Sequence, residues 1–102
     1  MIMFEWEGKQ YELKFNLERI KMIENATGKP IVTEIAQNDG ILSTNSLELY
    51  FALALKEYGA DVFYPTKKGI KIADDMLMQN GYSAVAGPVF EALERDCPFL
   101  FR

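Results

Sequence analysis

The residue types that most often carry out enzymatic chemistry are scarce in this sequence. It contains no histidine, so the most common general base and the most common metal ligand are both missing. With a single cysteine, Cys97, it can form no internal disulfide, thiolate zinc site or cysteine–histidine nucleophile pair. We expect Cys97 to act as a small buried apolar residue. The sequence therefore predicts neither an enzyme nor a metal-binding protein.

The carboxylates and glycines also lack the spacing that ligand sites need. Asp74 and Asp75 are adjacent on a predicted helix, so their side chains point about 100° apart and do not converge on one ion. A solvated helix face is their expected role. The glycines are isolated and form no phosphate-binding loop, and all but Gly69 and Gly87 fit a turn or a helix end. We therefore expect no cofactor.

One basic cluster is a candidate for binding another protein. It consists of Lys67, Lys68 and Lys71, close to a predicted helix N-terminus, where cations are slightly unfavourable. That placement suggests contact with an acidic partner, although an ordinary solvated helix face is the simpler explanation.

A short apolar tail is the second candidate. Phe99, Leu100 and Phe101 place three large apolar side chains side by side after the last predicted helix. They either pack back on the body of the protein or dock into a partner. Met22 and Met78 also fall outside the inward-facing stripes of their helices, and exposed methionine suits an adaptable binding surface.

Composition and charge narrow the class of protein. The chain has 102 residues, of which 49% are apolar and 25% charged, as expected for one globular domain with its own core. Its net charge of −4 argues against nucleic acid as the main partner, because phosphate binding needs a concentrated basic face. No apolar run reaches about 18 residues and no signal-peptide pattern is present, so we expect neither membrane insertion nor secretion.

We expect the other elements to pack around a central helix over residues 46–58. This stretch is apolar most of the way round, which is typical of a helix covered on several sides. If the short elements around it cannot cover it fully, some of Leu49, Leu53 and their neighbours should stay accessible and form the floor of a binding surface. Complete burial would instead move the partner site to the C-terminal tail.

Alternating aromatic residues before this helix predict a β-hairpin within residues 1–15. A turn centred on Gly8 and Lys9 would pair Trp6 with Tyr11, but it would also place Glu5 opposite a glutamate. A register shifted by two residues avoids that repulsion, so both registers are open.

Four more helices are predicted from capping signals and apolar periodicity. Asn16 and Gly28 mark the ends of one helix, and Ser83 is a candidate cap for the last. Pro88 either kinks that last helix or marks its true start. The five predicted helices span residues 17–27, 31–37, 46–58, 67–79 and 83–96. The predicted fold is mainly α, with about five helices around the central apolar helix and a small N-terminal β-hairpin. It forms a single domain of residues 1–102, divided into a hairpin (1–15), a helical body (16–97) and a tail (98–102).

The order of these elements, with some of their residues, resembles a known family. The hairpin FEWEGKQYELKF (residues 4–15) leads into a helix and turn that contain IENATGKPI (residues 23–31). A serine- and leucine-rich helix beginning SLELY (residues 46–50) follows, and then two more helices. This pattern resembles the small tail assembly chaperones of long-tailed bacteriophages and prophages, particularly those of Gram-positive hosts. The resemblance covers nearly the whole chain, and the pattern contains no catalytic signature.

The resemblance implies a non-catalytic role in virion assembly. Such chaperones bind the long, apolar, helical tape measure protein in the host cytoplasm and help tail tube protein subunits assemble around it. They are absent from the mature virion, and the family assigns no single binding residues. Many are also made as a longer product by −1 frameshifting, and codons CCT TTT TTA for residues 98–100 would supply a slippery heptamer. The sequence is also compatible with a homo-oligomer. The alternative is a small phage-encoded regulatory or nucleic-acid-binding protein.

Overall fold

Five α-helices and a small antiparallel sheet make up the described part of the chain, residues 3–37 and 41–101 of a computed structural model. The elements are β1 (Met3–Trp6), β2 (Lys9–Leu13), α1 (Leu17–Thr27), α2 (Ile31–Gln37), α3 (Thr44–Ala54), β3 (Leu55–Glu57), α4 (Thr66–Asn80), α5 (Tyr82–Asp96) and a 3₁₀ helix (Pro98–Phe101). The predicted mainly α fold with an N-terminal hairpin is confirmed.

The hairpin adopts the register that keeps its glutamates apart. Its turn residues, Glu7 and Gly8, both have positive φ (50° and 82°), as a two-residue type I′ turn requires. Phe4 therefore faces Tyr11, with their ring centroids 5.7 Å apart, and Glu5 faces a glutamine. The other register, with Trp6 opposite Tyr11, is not the one that forms.

The predicted C-terminal end of the central helix is wrong. Helix α3 ends at Ala54, and the next three residues form β3, which pairs antiparallel with β2. Leu13 faces Leu55 in this pairing, and the N–H of Lys14 donates to the carbonyl of Ala54 at 2.9 Å. A short apolar run has the same appearance in a helix and in a buried strand. The free edge of β2 decides the outcome, because it offers the backbone partners that a strand needs.

Helix α3 is nevertheless the centre of the core, packed against α1, α4 and α5. Its first turn is capped by Ser43, whose side chain accepts a hydrogen bond from the N–H of Ser46 at 3.1 Å. Leu47 and residues 50–54 are all buried. Of the set expected to stay partly accessible, Leu49 is half-buried, whereas the side chain of Leu53 is 5% exposed.

Helices α3 and α4 approach each other closely at Gly69. A Cβ atom added there would lie 3.0 Å from the Cα of Ala52 and 3.3 Å from its carbonyl oxygen. Only glycine permits this separation without a backbone shift. The close approach explains a helical glycine that no turn or helix end accounted for.

The starts of the last two helices differ from the predictions. Thr66 is the first residue of α4, so it does not cap the helix from outside. Helix α5 begins at Tyr82, directly after Gly81 (φ 91°), so Ser83 lies within it. The Tyr82 hydroxyl accepts from the N–H of Leu42 and donates to its carbonyl, both at 2.9 Å, which fixes this early start. Helix α5 then continues through Pro88, so Pro88 does not mark its beginning.

Candidate protein-binding surfaces

The predicted apolar tail folds into a 3₁₀ helix that packs against α5 and α2. Leu100 is 8% exposed and joins the core, whereas Phe99 is 50% and Phe101 42% exposed. Cys97, just before this helix, is buried as predicted, and burial raises the pKa of its thiol. The tail thus packs back through Leu100 and presents its two phenylalanines to solvent.

An ionic clamp fixes the point where the tail leaves α5. The guanidinium of Arg95 donates to both carboxylate oxygens of Asp96 and to the carbonyl of Leu13, each at 2.7 Å. Asp96 also accepts from the N–H of Phe15 at 2.9 Å. Burial alone would raise the pKa of Asp96, but these donors lower it overall. The clamp therefore joins the end of α5 to the chain leaving β2.

Other exposed apolar side chains lie on the elements that meet the tail. Leu17, at the start of α1, is 56% exposed, and Val32, on α2, is 52% exposed. The clamp brings the start of α1 to the end of α5, and α2 packs on the 3₁₀ helix. We call Leu17, Val32, Phe99 and Phe101 the tail surface. Single exposed apolar residues are common on protein surfaces, so the pair Phe99 and Phe101 on one short helix is the main feature of this surface.

The predicted basic cluster lies elsewhere, along the first turns of α4. Lys67, Lys68 and Lys71 are all exposed. Lys71 pairs with Asp75 one turn later, with 2.9 Å between Nζ and Oδ1, and this hydrogen bond raises the pKa of Lys71. One of the three charges is therefore already paired within the protein. Lys68 and Lys71 line clefts beside the hairpin and the connector, and none of the tail residues 98–101 lines either cleft.

Lys71 instead lines an aromatic cleft of about 500 Å³ between the hairpin and α4. Trp6, Tyr11 and Tyr64 form its walls, and the two tyrosine rings meet edge to face at 5.5 Å. Burial, and then the hydrogen bond with Tyr64, raise the pKa of Tyr11 to about 12. The indole Nε1 of Trp6 is buried without a partner among the described residues. Sequence reasoning missed this cleft because Tyr64 lies in a connector that folds back on β3.

A buried carboxylate between α2 and α3 was also missed. Glu34 is 5% exposed, and it accepts hydrogen bonds from the Ser46 hydroxyl and, at 2.7 Å, from the Tyr50 hydroxyl. Burial, and then the bond to Glu34, raise the pKa of Tyr50. Its position, three residues after the buried Ile31, was a usable signal, because it places Glu34 on the inner face of α2. The arrangement holds α2 against α3.

Beside this network, a cleft of about 570 Å³ opens near the start of α3. Glu48 lines it, and burial, followed by a hydrogen bond with Asp74 of α4, raises the pKa of Glu48 to about 7. The pair can hold or release a proton near neutral pH. Within residues 3–37 and 41–101, no three histidine, cysteine or acidic side chains are grouped so that they could hold a metal ion.

Comparison with protein family models, with curated protein sequences and with solved structures gives no match for this chain. None of the helices in the described ranges is long and apolar enough to cross a membrane.

Proposed function

We propose that this protein is a non-catalytic tail assembly chaperone of a long-tailed bacteriophage or prophage. It binds the tape measure protein in the host cytoplasm, assists the assembly of the tail tube protein, and does not remain in the mature virion. The observation that carries the proposal is the pair Phe99 and Phe101, both exposed on a short helix that is clamped to the core. The resemblance in element order and residues supplies the family.

The burial of α3 directs binding to the tail surface. Because the central helix is covered on nearly all sides, it offers little apolar area to a partner. The tail surface instead presents aromatic and branched side chains on elements that the core holds in place. A fixed apolar surface of this kind can take up one face of an amphipathic helix, which is how many proteins recognise helical segments. Preorganisation also lowers the entropy lost on binding.

The test is co-expression with the tape measure protein encoded beside this gene. We expect a soluble complex, and we expect the double variant F99S/F101S to lose it while its thermal stability stays close to that of the parent. The matched control is M78S, because Met78 is 87% exposed on α4, a helix that carries none of the residues of the tail surface.

Two results would contradict the proposal. One is the absence of any complex and of any gain in solubility of the tape measure protein. The other is equal binding by F99S/F101S and M78S, which would place the binding site outside the tail surface. The longer frameshift product stays a prediction, and the codons for residues 98–100 test it directly.

A further inference from the structure

The outer edge of strand β1 offers unpaired backbone groups. Glu5 faces Gln10 in β2, and the carbonyl of Gln10 points the other way, accepting from the N–H of Tyr58 at 3.0 Å. Glu5 and Gln10 therefore form a non-hydrogen-bonded pair, in which the backbone groups of both residues point away from each other. The N–H and carbonyl of Glu5 thus point outward from the sheet. The same alternation directs those of Met3 outward.

The two outer edges of the sheet differ in whether other parts of the chain cover their backbone groups. On the far side of β3, the N–H of Tyr64 donates to the carbonyl of Leu55 at 2.8 Å, so the connector covers that edge. Proteins usually protect an open edge by keeping the strand very short or by placing charged residues (lysine above all), proline or a bulge there. Among these, the four-residue strand β1 has its short length and one charge, Glu5. Strand β1, with the sequence MFEW, has no lysine or proline and pairs with β2 in a continuous register. The outer edge of β1 is therefore suited to adding another strand.

We propose that a second copy of this chain pairs antiparallel with β1, so that two three-stranded sheets join across a two-fold axis. The axis passes at Phe4, and Met3 of each copy faces Glu5 of the other. In this register both outward-pointing residues form hydrogen-bonded pairs, and each such pair exchanges two hydrogen bonds. This inference does not depend on the proposed function.

Charge disfavours one neighbouring register, and the length of the described strand disfavours the other. A shift that placed Glu5 opposite the Glu5 of the second copy would oppose like charges, which is unfavourable. A shift that placed Met3 opposite Met3 would leave Glu5 without a partner in the described strand. Among pairings within residues 3–6, the register centred on Phe4 alone uses both open residues and separates the two glutamates.

The side chain of Phe4 also fits a position on the axis. It stacks on Tyr11 and lies 5.8 Å from the ring of Phe51, yet it remains partly exposed. Non-hydrogen-bonded pairs bring side chains closest together, so the two Phe4 rings would meet across the axis. Their contact would extend the apolar layer of each core into the other copy.

The register predicts the effect of charge changes on dimerisation. M3E places a glutamate opposite Glu5 twice per dimer, and we expect this contact to raise the dissociation constant roughly twofold to thirtyfold. The new glutamate also faces Glu12 within its own hairpin. M3E and M3E/E5K share that internal pair, so the difference between these two variants reports the contact between the two copies. The double variant M3E/E5K should restore pairing, because each new glutamate then faces a lysine. The control is M78E, which makes the same change in net charge at an exposed position on α4, outside the sheet. Sedimentation equilibrium over a range of concentrations measures all four proteins.

Hydrogen exchange gives a second measurement that needs no substitution. In the monomer the amide of Glu5 points to solvent and should exchange fast, whereas in the dimer it is hydrogen-bonded and should become protected as concentration rises. The proposal is overturned if the chain stays monomeric up to millimolar concentration or if a dimer forms while this amide stays unprotected. It is also overturned if M3E behaves like M78E, or if M3E/E5K does not restore pairing.

Discussion

Substituting Gly69 by alanine tests the close approach of α3 and α4. In an open helix interior, glycine to alanine stabilises a protein by about 1 kcal/mol through helix propensity. Here the new Cβ would lie 3.0 Å from a backbone Cα atom of Ala52. Backbone in the middle of a packed helix cannot move aside as the end of a flexible side chain can, so we expect α4 to shift outward.

The two effects oppose each other, and overpacking should dominate. Forcing extra carbon atoms into a filled core costs about 1–3 kcal/mol, which exceeds the propensity gain over most of that range. We expect G69A to lower the free energy of unfolding by up to about 2 kcal/mol. For a domain of this size, each kcal/mol corresponds to a fall in Tm of roughly 4–8 °C.

Gly87 provides the control, because a Cβ added there meets nothing within 4 Å. Its propensity gain of up to about 1 kcal/mol is reduced by crowding against the following Pro88. Urea denaturation followed by far-UV circular dichroism gives both free energies. If G69A is as stable as G87A or more stable, the close helix approach does not restrict residue 69 and the reasoning is wrong.

Three further predictions concern polar groups. Y50F leaves Glu34 with one donor fewer, so the free energy of unfolding should fall by about 1–3 kcal/mol in urea denaturation. D96N should destabilise the protein at pH 7. Because the folded protein has a lowered pKa for Asp96, the stability that the ionised carboxylate provides is complete above the usual aspartate pKa of about 3.9 and is lost as pH falls through the folded pKa. The difference in Tm between D96N and the parent should therefore vanish in acid. The pKa of Glu48 is raised to about 7 in the folded protein. The stability that protonated Glu48 provides is therefore complete below the usual glutamate pKa of about 4.3 and is lost as pH rises through 7. Thermal melts of E48Q should lack this decline.

Local signals predicted the helices whose ends depend on neighbouring residues. The side chain of Asn16 accepts from the N–H of Arg19 at 2.8 Å, and Gly28 ends α1 in the left-handed conformation (φ 72°). Both features could be read from the sequence because caps act within one turn.

Features that depend on distant partners were not predictable in this way. Strand β3 forms because β2 offers an edge, and α5 starts early because Tyr82 reaches Leu42. The same holds for the candidate surfaces. The aromatic cleft forms because the folded chain brings Tyr64 beside Tyr11, and local sequence signals do not predict that contact. Residue types identified the tail and the lysines, whereas the burial of Leu100 between two exposed phenylalanines is a property of the packing.

The tail itself shows why packing back and docking into a partner are not exclusive alternatives. A 3₁₀ helix has three residues per turn, so three consecutive side chains point in directions about 120° apart. Because Leu100 enters the core, the geometry turns Phe99 and Phe101 away from it. Burying either phenylalanine would expose Leu100 and exchange one apolar side chain for another. A run of three large apolar residues in this conformation therefore anchors itself through one member and leaves the other two available to a partner.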